Sequence, residues 1–235
     1  MEFIRRIYNA AIKKKPKLEG QYFFLHIPKT AGTTVRYLIY DAFDDSSIYP
    51  SLKTLRNNGG AYIIQRDLIN NKGILPHNGV IIGHYTYSLV RHLDPSVKTI
   101  TFLREPIART ISQVKHIIRH EPEYKNSSAS EVLTHCHKRL TNLQSRMLGY
   151  QAAKHNVDRL IENLSAIDYV GITEQLSDSI DELNELFRWN LKYAPTKDKN
   201  VASPSGEVEF MKADMAYIES INQVDLMIYN KWITK

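Results

Sequence analysis

The stretch Tyr22-Phe23-Phe24-Leu25-His26-Ile27-Pro28-Lys29-Thr30-Ala31-Gly32-Thr33-Thr34 constrains this chain more than any other. The apolar run from Tyr22 to Ile27 reads as a short buried strand. It stops at Pro28, passes Lys29 and turns through Ala31-Gly32 into Thr33-Thr34. Beyond the turn, Val35, Leu38, Ile39 and Ala42 recur at helical spacing over Val35 to Phe43. A strand that feeds a helix through small residues leaves amides at the helix start without partners. Those amides, with the positive end of the helix dipole, bind phosphate or sulfate. Lys29 adds a cation beside them, and Thr33 and Thr34 add hydroxyl donors. The stretch is built to hold an anion.

Spacing narrows the choice of anion. The Walker loop, Gly-x4-Gly-Lys-Ser/Thr, carries its lysine after the glycines. Here Lys29 precedes Gly32, so that pattern fails. The string from His26 to Thr34 instead resembles the phosphosulfate loop of carbohydrate sulfotransferases, in particular the heparan sulfate 2-O-sulfotransferase-like branch and its bacterial relatives. That resemblance implies 3′-phosphoadenosine 5′-phosphosulfate (PAPS) as sulfuryl donor and 3′-phosphoadenosine 5′-phosphate (PAP) as product, with no metal. It implies that Lys29, Thr30, Ala31, Gly32, Thr33 and Thr34 bind the donor, and that Lys29 is also catalytic.

A second motif follows some way along the chain. In Thr101-Phe102-Leu103-Arg104-Glu105-Pro106, an apolar run ends on an arginine that can grip a phosphate by two parallel hydrogen bonds. Pro106 suits the first turn of a helix running toward His120, which places Ser112 about two turns along it. An isolated Arg-Glu-Pro is better explained by a structural ion pair. Taken with the Lys29 loop, the string resembles the sulfotransferase 3′-phosphate motif, which implies that Arg104 and Ser112 hold the 3′-phosphate.

Between the two lies Val80-Ile81-Ile82-Gly83-His84-Tyr85, another buried strand, ending on a histidine. An imidazole can accept a hydroxyl proton at neutral pH. The resemblance implies His84 as the catalytic base. Relatives often place a second histidine beside it; here its neighbours are Tyr85 and Tyr87. Asn142-Leu143-Gln144-Ser145-Arg146 resembles a further family motif, Asn-x-Gln-Ser/Thr-Arg, which lines the cleft. On that basis Tyr85, Asn142, Gln144 and Arg146 are expected to bind the acceptor, a hydroxyl of a carbohydrate or glycoconjugate. Asp168 to Gln175 and Asp225 to Tyr229 resemble structural landmarks of the same family.

Strands at Tyr22, Val80, Val97 and Asp168 alternate with helical patterns over Ala61–Ile69, Pro106–His120, Ala129–Leu148, Gln151–Leu164, Glu174–Trp189 and Phe210–Trp232. That alternation predicts an α/β fold, a three-layer sandwich with a central parallel sheet and a P-loop-like strand-loop-helix. Ligands in such sheets bind at the carboxyl ends of the strands, where Lys29, His84 and Arg104 all fall. We expect residues 1–19 to form a basic amphipathic segment and residues 20–235 a single domain. A loop around Lys199 to Ser203 falls where relatives close over the nucleotide.

The net charge of +6 is concentrated. Residues 1–17 hold six basic side chains against Glu2, a net of +5, which leaves +1 for the rest. Charge therefore gives no support to a nucleic-acid partner for the body. The same segment gathers Phe3, Ile4, Ile7, Tyr8, Ala11 and Ile12 on one helical face, suited either to packing on its own domain or to an anionic membrane surface. Cys136 is the single cysteine, so no internal disulfide forms. With no signal-peptide core and no membrane-spanning run, the expected location is the cytoplasm of a bacterium, or the inner face of its membrane. His116 with His120, and His135-Cys136-His137, lack the second ligand pair that zinc requires. Two rival readings use the same anion-binding turn: a nucleotide or small-molecule kinase, and a non-catalytic anion- or glycan-binding module.

Overall fold

The computed structural model describes residues 15–58, 62, 64–194 and 208–234. Most of the basic segment and the loop around Lys199 to Ser203 lie outside the described residues. Five strands form one sheet: β1 (Gln21–Leu25), β2 (Ile48–Tyr49), β3 (Gly79–Gly83), β4 (Lys98–Leu103) and β5 (Tyr169–Ile172). Their order is β2-β3-β1-β4-β5, and every neighbouring pair is parallel. Parallel strands covered on both faces carry unbroken apolar runs, and β1 is buried along its whole length. Successive side chains still point to opposite faces. Phe23 and Leu25 pack with Ile81, Leu103, Val170 and Ile172 on one side. Tyr22 and Phe24 pack with Val80, Ile82, Ile100 and Phe102 on the other.

The helices, in chain order, are α1 (Gly32–Ala42), α2 (Leu52–Asn57), α3 (Gln65–Asn70), α4 (Pro106–His120), α5 (Ala129–His135), α6 (His137–Leu140), α7 (Leu143–Met147), α8 (Val157–Ser165), α9 (Leu176–Phe187), α10 (Lys212–Ile221) and α11 (Gln223–Ile233). Val35 and Ile39 of α1 and Leu176, Ile180 and Leu183 of α9 cover the Phe24 face. Leu160 and Leu164 of α8 and Ile228 and Tyr229 of α11 cover the Phe23 face. The result is the three-layer α/β arrangement expected. A separate apolar cluster ties α4, α5 and α10 together through Val114, Ile117, Val132, Leu133 and Ile218. Among the described residues, no helix is long and apolar enough to cross a membrane.

Pro106 opens α4 as expected, and the Glu105 carboxylate accepts from the amides of Ile107 and Ala108 at 3.0 and 2.6 Å. Two helices expected to be continuous are broken. The Ala129–Leu148 pattern divides at Cys136, between α5 and α6, and again before α7, where Asn142 takes a left-handed conformation with φ 42°. Its Oδ1 accepts from the amides of Val224 and Asp225 at 3.0 and 3.1 Å, at the start of α11. The Phe210–Trp232 pattern divides at Asn222, whose Oδ1 accepts from the Asn142 amide at 3.1 Å. Each asparagine stabilises a helix end on the other segment. Such long-range capping outweighs local periodicity and leaves no trace in it.

The sheet order matters for the site. The chain leaves β1 toward the β2 edge, returns through β3, and then crosses to β4 on the far side. Ligands collect beyond the carboxyl ends of strands at such a switch point. In register, Leu25 lies opposite Gly83 on one side and Thr101 on the other. The loops after β1, β3 and β4 therefore emerge side by side.

Candidate active site

The loop after β1 turns twice through left-handed backbone, at Lys29 (φ 71°) and Ala31 (φ 58°). Each costs a non-glycine residue on the order of 1–2 kcal/mol. Left-handed residues in a short loop turn successive amides toward one concavity, which suits an anion. The first bond of α1 runs from the Val35 amide to the Ala31 carbonyl at 3.1 Å, so the amides of Gly32, Thr33 and Thr34 precede the helical ladder. Thr33 and Thr34 are half-buried. Thr30 is buried, and its hydroxyl donates to the Ile27 carbonyl at 2.9 Å, which staples the loop. Burial lowers the pKa of the Lys29 ammonium, and the positive charges of Arg104 and Arg119 lower it further. Lys29 is a cation held among cations, and an arriving anion relieves that repulsion.

Gly32 is the glycine that this loop requires. A Cβ there would lie 1.8 Å from Cδ2 and 2.1 Å from Nε2 of His26. His26 is buried and cannot swing into solvent. Gly32→Ala is therefore expected to destabilise the fold by about 1–3 kcal/mol. Denaturant unfolding followed by circular dichroism checks it; an unchanged midpoint would contradict this packing.

His84, just past β3, places Nδ1 at 2.7 Å from the carbonyl oxygen of His26, just past β1. A carbonyl can only accept, so Nδ1 carries the hydrogen and the neutral ring keeps its lone pair on Nε2. His84 retains an exposed edge, yet the surrounding protein strips hydration from the ring and lowers its pKa. The bond to His26 opposes that shift, and the Arg36 charge adds to it. Burial pulls His26 well below the ordinary imidazole range, helped by His84, Arg36 and Lys29. Their ring centroids are 4.4 Å apart. Tyr62 stands edge-on to His84 at 5.0 Å and accepts from Arg36 Nη1 at 2.9 Å.

Arg104, just past β4, donates from Nη1 to the Lys29 carbonyl at 3.2 Å, so the third loop is tied to the first. Its Nε lies 3.8 Å from Glu174 Oε1. Ser112 is half-buried on α4. One turn on, His116 is driven down to about 4 by burial and by the charge of Lys29.

The structure thus gathers Lys29, Thr33, Thr34, His84 and Arg104 at one edge of the sheet; Ser112 lies on α4, which starts just past Arg104. Tyr85 is packed in the core against Phe23. Asn142 caps α11, and Gln144 is buried against the Arg104 backbone. Arg146 is exposed and donates to the Arg139 carbonyl at 3.3 Å. The sequence alone assigns no role to His26, which lies beside His84, nor to Arg36, Tyr62 or Glu174. The signal for His26 was present: a histidine directly after each of two apolar strands that turn out to be neighbours. Among the described residues, no group of three His, Cys, Asp or Glu side chains could hold a metal ion. A cavity of about 300 Å³ lies at the amino ends of β4 and β5, at the opposite edge, where Lys98 pairs with Asp168 at 3.0 Å.

No protein-family model matches the chain, and no curated protein matches it. Among solved structures the chain is similar to a sulfotransferase from Alicyclobacillus acidocaldarius, at 14% identity over 88% of this chain and 98% of that one, with a TM-score of 0.46. It is also similar to mouse sulfotransferase SULT7A1 complexed with PAP, at 14% identity over 93% of this chain and 70% of that one, with a TM-score of 0.45. Both are distant likenesses.

Proposed function

We propose that this protein is a PAPS-dependent sulfotransferase acting on a hydroxyl of a carbohydrate or glycoconjugate. One observation carries the reading. The loops after β1, β3 and β4 are bonded to one another, through His84 to the His26 carbonyl and through Arg104 to the Lys29 carbonyl. The Lys29 loop, the His84 imidazole and the Arg104 guanidinium are thereby held at one sheet edge, which supports reading them as an anion nest, a base and a phosphate grip. The left-handed turns at Lys29 and Ala31 and the packing of Gly32 against His26 fit a cradle for a phosphosulfate.

PAPS supplies the sulfuryl group, its sulfur passing to the acceptor oxygen as PAP departs. The chain does the rest. The amides at the start of α1, with Thr33 and Thr34, hold the phosphosulfate end. Arg104 and Ser112 hold the 3′-phosphate. Nε2 of His84 takes up the proton of the acceptor hydroxyl. Lys29 stabilises negative charge on the departing oxygen.

The test is a comparison of PAP and AMP binding to wild type and Arg104→Ala by calorimetry, because AMP lacks the phosphate assigned to Arg104. Wild type should prefer PAP. Arg104→Ala should lose at least about tenfold in PAP affinity, as expected for a charged hydrogen-bonding pair. AMP affinity should barely change. Equal weakening of both ligands, or no preference in wild type, would overturn the assignment.

A further inference from the structure

Arg104 follows directly on the last residue of β4, where the strand ladder stops and its main-chain groups need other partners. Gln144 supplies both. Its Oε1 accepts from the Arg104 amide at 2.9 Å, and its Nε2 donates to the Arg104 carbonyl at 2.9 Å. The residue is 0% exposed, so both ends of its amide are committed inside the protein. Gln144 is fixed in turn by Asp225, in the first turn of α11. The Gln144 amide donates to Asp225 Oδ2 at 3.1 Å. The amide and hydroxyl of Ser145 donate to Asp225 Oδ1 at 2.7 and 2.6 Å.

Asp225 is also 0% exposed. Burial pushes its carboxyl pKa up, against the favourable charge of the buried Arg109. A buried carboxylate is a poor way to fill a core, and an apolar side chain would serve stability as well. Three donors converging on it from one short segment fix the place of that segment instead.

We infer that Gln144 and Asp225 are positioning residues for phosphate recognition. Asp225 locks the start of α7, Gln144 locks the Arg104 backbone, and the guanidinium is thereby aimed across the site, where Nη1 meets the Lys29 carbonyl. Through these contacts the C-terminal helix sets the geometry of a site built on the sheet. The inference rests on the reading of Arg104 as the 3′-phosphate residue.

The test is a calorimetric cycle on the full chain: wild type, Gln144→Met, Arg104→Ala and the double variant, each with PAP and with AMP. Methionine keeps the length of glutamine without its amide. Gln144→Met should weaken PAP roughly tenfold and leave AMP within about twofold. The double variant should bind PAP no more weakly than Arg104→Ala alone, because both changes remove one interaction. Asp225→Asn keeps the shape but not the paired acceptors; it should give a smaller loss of the same selectivity, and it stands in should Gln144→Met not fold. Weakening of PAP and AMP together, with losses that add to those of Arg104→Ala, would mean a merely structural role and overturn the inference. So would a PAP preference that survives both Gln144→Met and Asp225→Asn. A wild type that does not prefer PAP over AMP would overturn the reading of Arg104 itself, and this inference with it.

Discussion

Lys29→Ala is expected to lower kcat by roughly a hundredfold or more in a protein that remains folded, on the order of 3 kcal/mol of transition-state stabilisation. Lys29 follows β1 in the anion loop, half-buried, with Arg104 and Arg119 as its charged neighbours. Among the described residues it forms no ion pair, so removing its ammonium strands no buried carboxylate. Its carbonyl, which receives Arg104, is kept by alanine. Initial rates and thermal unfolding on one preparation check the prediction. Near-normal sulfation by folded Lys29→Ala protein would contradict it.

His84→Asn should lose roughly 10²–10⁴ in kcat while retaining PAP affinity within a few-fold. Only Nε2 is positioned to accept, because Nδ1 is committed to the His26 carbonyl. The same geometry gives a pH dependence. The loss of hydration around His84 holds its pKa below the ordinary 6.5, so the ring is neutral and competent at pH 7. The rate should fall with acid as the ring protonates, along a limb lying below that value, and this group should give no further gain above it. Equal loss of PAP affinity and rate in His84→Asn would assign the residue to donor binding or the fold. An acid limb centred above about pH 7 would contradict a neutral, desolvated base.

The parts of this fold written in local sequence were legible. β1, β3 and β5 are largely apolar runs, β4 alternates threonine with apolar residues, and Pro106 marks the start of α4. β2 is two residues long and too short to leave a pattern. The breaks at Asn142 and Asn222 arise because each side chain serves a segment about eighty residues away, and helical spacing carries no record of that. The candidate site divides the same way. Lys29, His84 and Arg104 stand out because each follows an apolar run. His26 was part of a quoted motif, but its place beside His84 follows only from the pairing of β1 with β3, seen in the bond from the His26 amide to the Gly83 carbonyl at 3.0 Å. Gln144 reads from its motif as an acceptor-binding residue; the structure buries it against Arg104.

Sulfuryl transfer itself is followed with sulfur-radiolabelled PAPS. Wild type, Lys29→Ala and His84→Asn are incubated without magnesium against a panel of neutral glycans, acidic glycans and lipid-linked sugars. Wild type is expected to move label to at least one member of the panel, releasing one PAP for each label transferred, and both variants to lose the transfer. Label transfer unaffected by either substitution would contradict it. So would intact PAPS in a protein that, given magnesium and ATP, phosphorylates the same panel.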